Sequence, residues 1–237
     1  MNTATRRSLL TAAIAAPALF LAACGGGDSA SADGPLAENQ RADDIIMGDA
    51  DAPVLLIEYA SVTCPHCAAF HQTTWPEVKE KYVDTGLVKY TSRELPTPPV
   101  PLAMAGFLVA RCAPDSQYYD VLDTLFERQE QIVRSQEPRE ELLNIARAAG
   151  MDEAEFDACI RDEEQITRIN DVVDEASAKF NVSSTPTFII DGETYAGARA
   201  LSFFDEKFAP LLGDQAPPPS EEDAGEDGED AATPAEG

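Results

Sequence analysis

The sequence predicts an α/β fold in which a mixed β-sheet unit is interrupted by an all-helical insertion. Three observations carry this prediction: a strand-helix-strand pattern over residues 54–93, helical periodicity over residues 102–180, and renewed strand character at residues 187–196. Apolar residues that recur every three or four positions indicate helices, whereas short continuous apolar runs indicate buried strands. The chain has 237 residues, of which 44% are hydrophobic, and it is therefore long enough to bury a sizeable core.

The first strand is predicted at residues 54–59, an apolar run interrupted only by Glu58. Such a run is typical of a strand that is buried on both faces. A helix is predicted over residues 64–84, with a kink or a new start at Pro76, which lacks a backbone N–H. A second strand is predicted at residues 87–93, which completes the strand-helix-strand unit.

The helical insertion is predicted to span about residues 100–181. It follows the segment LPTPPVP at residues 95–101, whose four prolines break regular structure. Helical periodicity then recurs in five segments, and Gly and Pro near their ends are typical of helix boundaries. The predicted helices cover residues 102–113, 118–133, 139–149, 153–161 and 165–180.

After the insertion, strand character returns at residues 187–190. Asp191 and Gly192 follow at once and form a strong signal for a two-residue hairpin turn, so a further strand is predicted at residues 194–196. A final helix is predicted near residues 202–212. The hairpin therefore returns the chain to the sheet that the first unit began.

The charge balance argues against a nucleic acid as a partner. The chain carries 43 acidic and 17 basic residues, a formal net charge of -26, whereas a phosphate backbone requires cationic contacts. Nine of the acids lie in residues 214–237, where no Lys or Arg occurs. We predict that residues 213–237 form a disordered acidic tail, because such a segment cannot bury enough apolar area to offset chain entropy. Solubility is the simple interpretation of this tail, and cation binding or docking is the alternative.

The N terminus has the features of a secretion signal. Arg6 and Arg7 are followed by an apolar stretch at residues 9–23, which is shorter than a comfortable membrane span and ends in small residues. Residues 1–23 are therefore predicted to be a signal peptide that is removed after export. The arginine pair resembles a twin-arginine export signal, and general secretion is the alternative.

The segment LAAC, residues 21–24, resembles the lipobox of bacterial lipoproteins, in which the cysteine is acylated and becomes the first residue of the mature chain. The resemblance implies a lipid anchor on Cys24 that holds the protein to a membrane, with the chain in the periplasm or elsewhere in the cell envelope. Residues 24–43 start with Cys24 and continue as GGGDSASADG, and they are predicted to form a flexible tether. Ordinary cleavage that leaves Cys24 as a free thiol is the alternative.

The motif Cys64-Pro65-His66-Cys67 is the most informative one in the chain. Two cysteines at this spacing on a helix start can close a disulfide, and the first lies where the positive end of the helix dipole favours a thiolate. Such surroundings lower the pKa of a cysteine to about 3.5–7.5. Pro65 suits the first helical turn, and a protonated His66 would add positive charge beside the Cys64 sulfur. Because a stabilised reduced form makes the disulfide a stronger oxidant, the motif predicts donation of disulfides.

The CPHC motif after an apolar strand, the helical insertion, and the pair Thr185-Pro186 before TFII together resemble the DsbA-type thiol-disulfide oxidoreductases of the thioredoxin superfamily. The resemblance covers roughly residues 44–212 and implies a thioredoxin-like fold with a helical-domain insertion. It also implies that Cys64 is the exposed nucleophile and Cys67 the buried resolving thiol. Pro186 would be a cis-proline that faces them.

The same resemblance implies that extended substrates dock beside Thr185 and Pro186. Glu58 matches the buried acid that precedes the motif in that family and exchanges the proton of the resolving thiol. Burial on a strand would raise the pKa of this carboxyl and favour such an exchange near neutral pH. A salt bridge between Glu58 and a lysine, or partial exposure of Glu58, is the alternative.

A CxxC motif can also form half of a zinc site, which needs further cysteines or histidines at ligand spacing. His71 is the only histidine besides His66, so no metal site is predicted. His71 lies one helical turn beyond Cys67. Packing or surface exposure is the simple interpretation of His71, and tuning of the redox site is the alternative.

Cys112 and Cys159 lie on two predicted helices of the insertion. Some bacterial DsbA-like proteins carry a second disulfide in the helical domain, and the resemblance implies that these two cysteines pair. Closing a loop of 47 residues would stabilise the fold by about 4 kcal/mol on the chain-entropy model. Two buried thiols and a redox-active pair are the alternatives.

Together these features predict an enzyme: a lipid-anchored envelope oxidoreductase that introduces disulfides into exported proteins through Cys64 and Cys67. Its expected partners are reduced exported proteins and, by the resemblance, a quinone-linked membrane oxidase that reoxidises it. No separate cofactor is expected. A reductase or isomerase on the same fold is one alternative. Another is a lipoprotein that delivers copper or zinc through Cys64, His66 and Cys67.

Overall fold

The computed structural model describes residues 39–220. The predicted signal peptide at residues 1–23, the lipidation of Cys24 and the acidic segment from residue 221 onwards lie outside the described part of the chain and stay predictions. Within residues 39–220, no helix combines the length and the apolar character that crossing a membrane requires.

Four strands of the described chain form one mixed sheet: β1 (Val54–Ala60), β2 (Val88–Glu94), β3 (Thr187–Ile190) and β4 (Glu193–Ala196). Their order across the sheet is β2-β1-β3-β4. β1 is parallel to β2 and antiparallel to β3, which in turn pairs antiparallel with β4. Every residue of β1 is buried, as its continuous apolar run predicts for a central strand. The predicted hairpin turn is confirmed, since Asp191 and Gly192 both have positive φ, at 50° and 79°.

Two helices and a π-helical turn join β1 to β2: α1 (Pro65–Thr73), α2 (Trp75–Val78) and the turn Lys79–Val83. The single helix predicted over residues 64–84 is therefore divided at Thr74. Pro76 explains the division, because a proline fits the first turn of a helix but not its interior. Gly86, with a φ of 74°, then turns the chain toward β2.

Within residues 39–220, the predicted insertion separates β2 from β3. The helix predicted over residues 118–133 is in fact two helices that meet at Arg128. The apolar periodicity of the sequence continues through this bend and therefore does not reveal it. Helical hydrogen bonds continue as well, since Arg128 N bonds Thr124 O at 3.0 Å and Ile132 N bonds Arg128 O at 2.9 Å. The helices of the insertion are α3 (Val100–Cys112), α4 (Tyr118–Glu127), α5 (Gln129–Arg134), α6 (Pro138–Ala148), α7 (Glu153–Cys159) and α8 (Glu163–Phe180); a last helix, α9 (Leu201–Leu212), follows β4.

Helices cover both faces of the sheet. Alternate residues of β1 point to opposite faces. Leu56 joins a buried cluster with Phe70 of α1 and Phe204 of α9, whereas Ile57 packs in a second cluster with Val172 of α8. A third cluster lies among the insertion helices and the start of α1. α8 therefore belongs to the insertion and also shields one face of the sheet.

The described ends of the chain are bonded to this fold. Arg93, which is 1% exposed, donates a hydrogen bond from Nη2 to the backbone oxygen of Asn39 at 2.6 Å. At the other end, the Ser220 hydroxyl donates to Asp205 at 2.6 Å. Residues 39–43 and 213–220 were predicted as parts of the tether and the tail, and these contacts attach them to the folded region instead.

A buried carboxylate joins the insertion to the sheet. Glu94, the last residue of β2, is 0% exposed, and its Oε1 accepts hydrogen bonds from Arg111 Nε of α3 and Arg168 Nη2 of α8, both at 2.6 Å. Although burial opposes ionisation, the positive charges of Arg111 and Arg168 hold the pKa of Glu94 below its ordinary value. This ion triad therefore fastens two insertion helices to β2.

Glu94→Gln is expected to lower the free energy of unfolding by about 3 kcal/mol at pH 7, because two largely buried guanidinium groups lose their counter-charge. The difference from the wild type is expected to shrink as the pH falls through the folded-state pKa of Glu94, where the wild-type carboxyl becomes protonated too. Urea unfolding followed by circular dichroism measures both effects.

The matched control is Glu130→Gln, which removes the charge from an exposed ion pair. The side chains of Arg134 and Glu130 are 78% and 74% exposed, and a loss of less than about 0.5 kcal/mol is expected. Equal losses for the two variants would contradict the role assigned to Glu94.

Candidate active site

Cys64 and Cys67 lie at the start of α1, directly after the turn that follows β1. Cys64 is the N-cap residue, with an extended backbone at φ -83° and ψ 118°, and Cys67 lies in the first helical turn. Both are free thiols. Cys67 is 0% exposed and Cys64 is 8% exposed. The family resemblance implied an exposed nucleophile, and Cys64 is less exposed than that because the segment before β3 lies against its sulfur.

Hydroxyl groups hold the turn between β1 and α1. Ser61 Oγ accepts hydrogen bonds from the backbone N of Thr97 at 3.1 Å and from its hydroxyl at 2.9 Å. The backbone oxygen of Ser61 accepts from Cys64 N at 3.0 Å, and its backbone N donates to the Cys67 sulfur at 3.5 Å. These bonds fix the position of both sulfur atoms relative to the end of β1.

The surroundings of Cys64 favour its thiolate. The Cys67 thiol donates a hydrogen bond to the Cys64 sulfur, and this interaction does most to lower the pKa of Cys64, to about 5. Burial opposes the shift, whereas the Thr185 hydroxyl and the backbone N–H groups of Cys67 and His66 add to it. At neutral pH Cys64 is therefore an anion, which is the reactive form of cysteine.

Pro65 and His66 have exposed side chains, and both contribute through the backbone. Pro65 occupies the first turn of α1, where its missing N–H leaves no helical hydrogen bond unmade. The N–H of His66 lies among the unpaired groups of the helix start, which favour an anion at Cys64. The predicted contribution of a protonated His66 imidazole stays a prediction.

The second thiol is held in the opposite state. Burial raises the pKa of Cys67 far above its ordinary value, and both the hydrogen bond to Cys64 and the negative charge of Glu58 add to this effect. Cys67 therefore keeps its proton whenever Cys64 is a thiolate. The pair combines one sulfur that ionises readily with one that does not.

The sheet brings Thr185 and Pro186 to the cysteines although more than a hundred residues separate them in the chain. The Thr185-Pro186 peptide bond is cis, in the place where the resemblance implied a cis-proline. The Cys64 sulfur lies beside this segment, with Sγ 3.4 Å from the backbone oxygen of Thr185. The oxygen of Pro186 accepts from Gly197 N at 2.8 Å, which ties this segment to the end of β4.

Glu58 lies within β1 and is 0% exposed. Its Oε2 accepts a hydrogen bond from the Tyr90 hydroxyl at 2.6 Å and lies 3.0 Å from Nε2 of His71. The structure therefore rules out a half-exposed Glu58, and the partners of Glu58 are a tyrosine and a histidine where a lysine had been considered. The charge of Glu58 also acts on Cys67, so the Glu58 carboxyl, the His71 ring and the Cys67 thiol form one buried group.

Sequence reasoning missed Tyr90 and left the role of His71 open. Tyr90 pairs with Leu56 in the parallel register of β1 and β2, and residues two apart in a strand share a face, so Tyr90 lies on the same face as Glu58. His71 follows Cys67 by one helical turn and thus faces the same side of α1. The strand register was the missing information, since no pattern within either strand reveals it.

Cys112 and Cys159 form a disulfide between the last residue of α3 and the last residue of α7, with their Cα atoms 6.1 Å apart. This bond lies within the helical insertion. Among residues 39–220, no group of three or more His, Cys, Asp or Glu side chains is arranged to hold a metal ion.

Comparison with known proteins agrees with this architecture. A family model described as thioredoxin matches residues 40–206. A protein of Rickettsia bellii, named provisionally as a protein-disulfide oxidoreductase, is 32% identical over 154 residues, which cover 63% of this chain and 57% of that protein. The chain therefore spans little more than half the length of this relative.

Two solved structures share the fold. Alpha-DsbA1 from Wolbachia pipientis is 26% identical, and the match covers 76% of this chain and 96% of that chain with a TM-score of 0.69. A protein-disulfide isomerase from Novosphingobium aromaticivorans is 25% identical, and the match covers 70% of this chain and 96% of that chain with a TM-score of 0.59. These matches confirm the predicted α/β, thioredoxin-like fold with its helical insertion.

Cys67→Ala is expected to raise the pKa of Cys64 by about 1–2 units, because a hydrogen bond to a charged group is worth about 1.5–3 kcal/mol and one pKa unit corresponds to about 1.4 kcal/mol. Thiolate absorbance at 240 nm, recorded against pH, measures the shift.

Cys67→Ser is the matched control, because its hydroxyl still donates to the Cys64 sulfur. It is expected to shift the pKa of Cys64 by less than half as much. An unchanged pKa in Cys67→Ala would show that the hydrogen bond between the two sulfurs does not stabilise the thiolate.

Proposed function

This chain belongs to the thioredoxin family, and from that premise we propose that it is a thiol-disulfide oxidoreductase that donates the Cys64–Cys67 disulfide to reduced exported proteins. One observation carries the proposal: the two sulfurs lie on one helical turn, with the pKa of Cys64 lowered to about 5 and that of Cys67 raised by burial. Because of this asymmetry, Cys64 is the sulfur that a substrate thiolate attacks and that later leaves as a thiolate. Cys67 is the sulfur that takes up a proton.

The reaction begins when a substrate thiolate attacks Cys64 Sγ of the oxidised enzyme. The bond between Cys64 and Cys67 breaks, its electron pair goes to Cys67 Sγ, and that sulfur takes up a proton. A second substrate thiolate then attacks the substrate sulfur of the mixed disulfide. Cys64 leaves as a thiolate, so the substrate loses two electrons to the enzyme and gains a disulfide.

The stabilised thiolate of Cys64 favours this direction. Stabilisation of the reduced enzyme makes its disulfide a stronger oxidant, and a sulfur with a low pKa is the better leaving group in the mixed disulfide. Reduction or isomerisation through the same two cysteines is the second candidate, and the likeness to a protein-disulfide isomerase supports it. A disulfide donor is held in the cell with Cys64 and Cys67 oxidised, whereas a reductase or isomerase is held with them reduced.

Glu58 and Thr185 complete the proposed site. Glu58 is the proton donor and acceptor for Cys67, a role supported by its burial and by its electrostatic effect on that thiol. Substrate is proposed to dock beside Thr185 and Pro186, whose position against the Cys64 sulfur supports this placement.

The cellular setting is also a proposal. The N-terminal sequence pattern supports export to the periplasm or cell envelope and a lipid anchor on Cys24. A quinone-linked membrane oxidase is the proposed partner for reoxidation. Mass spectrometry of the mature N terminus tests the anchor: an acylated Cys24 is expected, and a mature chain without lipid would contradict it.

The reduction potential of the Cys64–Cys67 pair tests the direction of transfer. Equilibration with glutathione buffers is expected to give a value near about -120 mV, that of the strong oxidant DsbA, instead of about -180 mV for a disulfide isomerase or about -270 mV for thioredoxin. A value near that of thioredoxin, together with cysteines held reduced in cells, would overturn the oxidase assignment. Copper or zinc retained after purification, without disulfide exchange, would favour the metal-delivery alternative.

A further inference from the structure

We propose that His71 transfers protons between the buried Glu58 and a cavity that reaches the protein surface, and thereby supplies the proton that Cys67 takes up or gives away. The proposal rests on the proposed exchange reaction, but it holds for either direction of electron transfer. His71 acts through Glu58 and is therefore a positioning and proton-transfer residue that does not touch the substrate.

The need for such a residue follows from burial. Cys67 is 0% exposed, and a thiolate left there would lie beside the negative charge of Glu58. The proton that prevents this must come through Glu58, which is itself 0% exposed. Neither group can exchange a proton directly with water in this structure, so the exchange requires an intermediary.

His71 has the geometry of that intermediary. Its Nε2 lies 3.0 Å from Glu58 Oε2, and its side chain is only 5% exposed. The ring stacks on Phe126 with centroids 4.0 Å apart and an angle of 13°, and the indole of Trp75 lies 5.8 Å away. These contacts fix the ring so that one nitrogen stays on the carboxyl.

The second ring nitrogen is buried and unpaired, and exchange with the cavity requires that a water reach it as the ring or its neighbours move. Among the described residues, Nδ1 of His71 has no hydrogen-bond partner. An imidazole can accept a proton at one nitrogen and release one from the other. His71 can therefore pass a proton from one ring nitrogen to the other side of the ring. A side chain used only for packing would not need this second nitrogen.

His71 also lines a cavity of about 340 Å³, which has room for several water molecules. The exposed residue Glu127 lies on its wall, so the cavity reaches the surface. Asp123 of α4 lines it too; burial raises the pKa of Asp123, and the charge of His71 opposes this rise. Asp123 and His71 therefore line the same cavity and interact electrostatically.

The ionisable groups that face His71 come from every element packed on it. Glu58 and Tyr90 lie on the sheet, Asp123 and Glu127 lie on α4, and Lys79 lies on the π-helical turn. Burial raises the pKa of Tyr90 well above its ordinary value. Tyr90 therefore keeps its proton and orients the carboxyl, and His71 is the remaining route for exchange.

The proton balance closes over one catalytic cycle. When Cys67 leaves the disulfide, Glu58 gives it a proton, the carboxylate takes one from Nε2 of His71, and Nδ1 takes one from a water that enters from the cavity. When the disulfide forms again, Cys67 loses its proton and the same transfers run in reverse. One proton enters and one leaves, so the cycle itself restores the starting tautomer of His71.

The test is the rate at which dithiothreitol reduces the Cys64–Cys67 disulfide, followed by the fluorescence of Trp75, the only tryptophan. His71→Gln keeps an amide N–H for Glu58 but cannot relay a proton, and a loss of about tenfold or more is expected, since general acid catalysis contributes about 10²–10⁴. His71→Ala enlarges the cavity, and added imidazole is expected to restore its rate in a concentration-dependent way.

Gln72→Ala is the matched control. Gln72 lines the same cavity and donates to the backbone oxygen of Phe126 at 2.8 Å, so the substitution disturbs the packing beside the ring without removing an ionisable group. A rate within twofold of the wild type is expected. Thermal unfolding of each variant shows whether a slow rate is due to loss of the folded structure. If a His71 variant does not fold, His71→Asn is measured in its place.

A wild-type rate for His71→Gln would overturn the proposal, as would a slow His71→Ala protein that imidazole does not accelerate. Both results would assign His71 to packing alone. Failure of the proposed function looks different: the wild-type Cys64–Cys67 disulfide would be reduced by dithiothreitol but would not be transferred to a reduced protein substrate.

Discussion

The hydrogen bond between the sulfurs of Cys64 and Cys67 is the interaction on which the rest of the site depends. It requires one sulfur to be ionised while the other keeps its proton. The start of α1 supplies the first condition, because unpaired backbone N–H groups favour a negative charge at Cys64. Burial beside Glu58 supplies the second, because it makes a thiolate at Cys67 unfavourable. The fold around the site maintains this difference between two identical side chains.

Dipoles, more than formal charges, stabilise the anion at Cys64. The groups that favour it are a thiol, a hydroxyl and backbone N–H groups, which suits a chain with 43 acidic and only 17 basic residues. The buried arginines have another use, since Arg93, Arg111 and Arg168 bind carboxylates and backbone oxygens that join the insertion and the N-terminal segment to the sheet. Buried arginines thus stabilise the fold, whereas a thiol, a hydroxyl and backbone N–H groups stabilise the Cys64 thiolate.

Much of the architecture was predictable from the sequence because its signals are local. The apolar run of β1, the Asp191-Gly192 turn and the strand at β3 each depend on neighbouring residues, and the structure places them where the sequence predicts. The bend at Arg128 was not predictable, because backbone hydrogen bonds and apolar spacing continue through it. The division of the first helix at Thr74 follows from Pro76, which sequence reasoning identified as a kink or a new start.

The candidate site was predictable in its reactive atoms but not in its surroundings. The CPHC motif points to the thiol chemistry, whereas the partners of Glu58 depend on the register of two strands and on the face that α1 presents to them. The low exposure of Cys64 likewise depends on a segment more than a hundred residues away. Contacts between distant parts of the chain carry no local signal, and the structure was needed to show them.

The pKa of Cys64 in the reduced wild-type protein tests this account most directly. Thiolate absorbance at 240 nm, with a Cys64→Ala protein as the baseline, is expected to rise with a midpoint at about pH 5. A midpoint near pH 8.5, the value of an ordinary cysteine, would contradict it, because the site would then hold no stabilised thiolate and its disulfide would have no reason to be a strong oxidant.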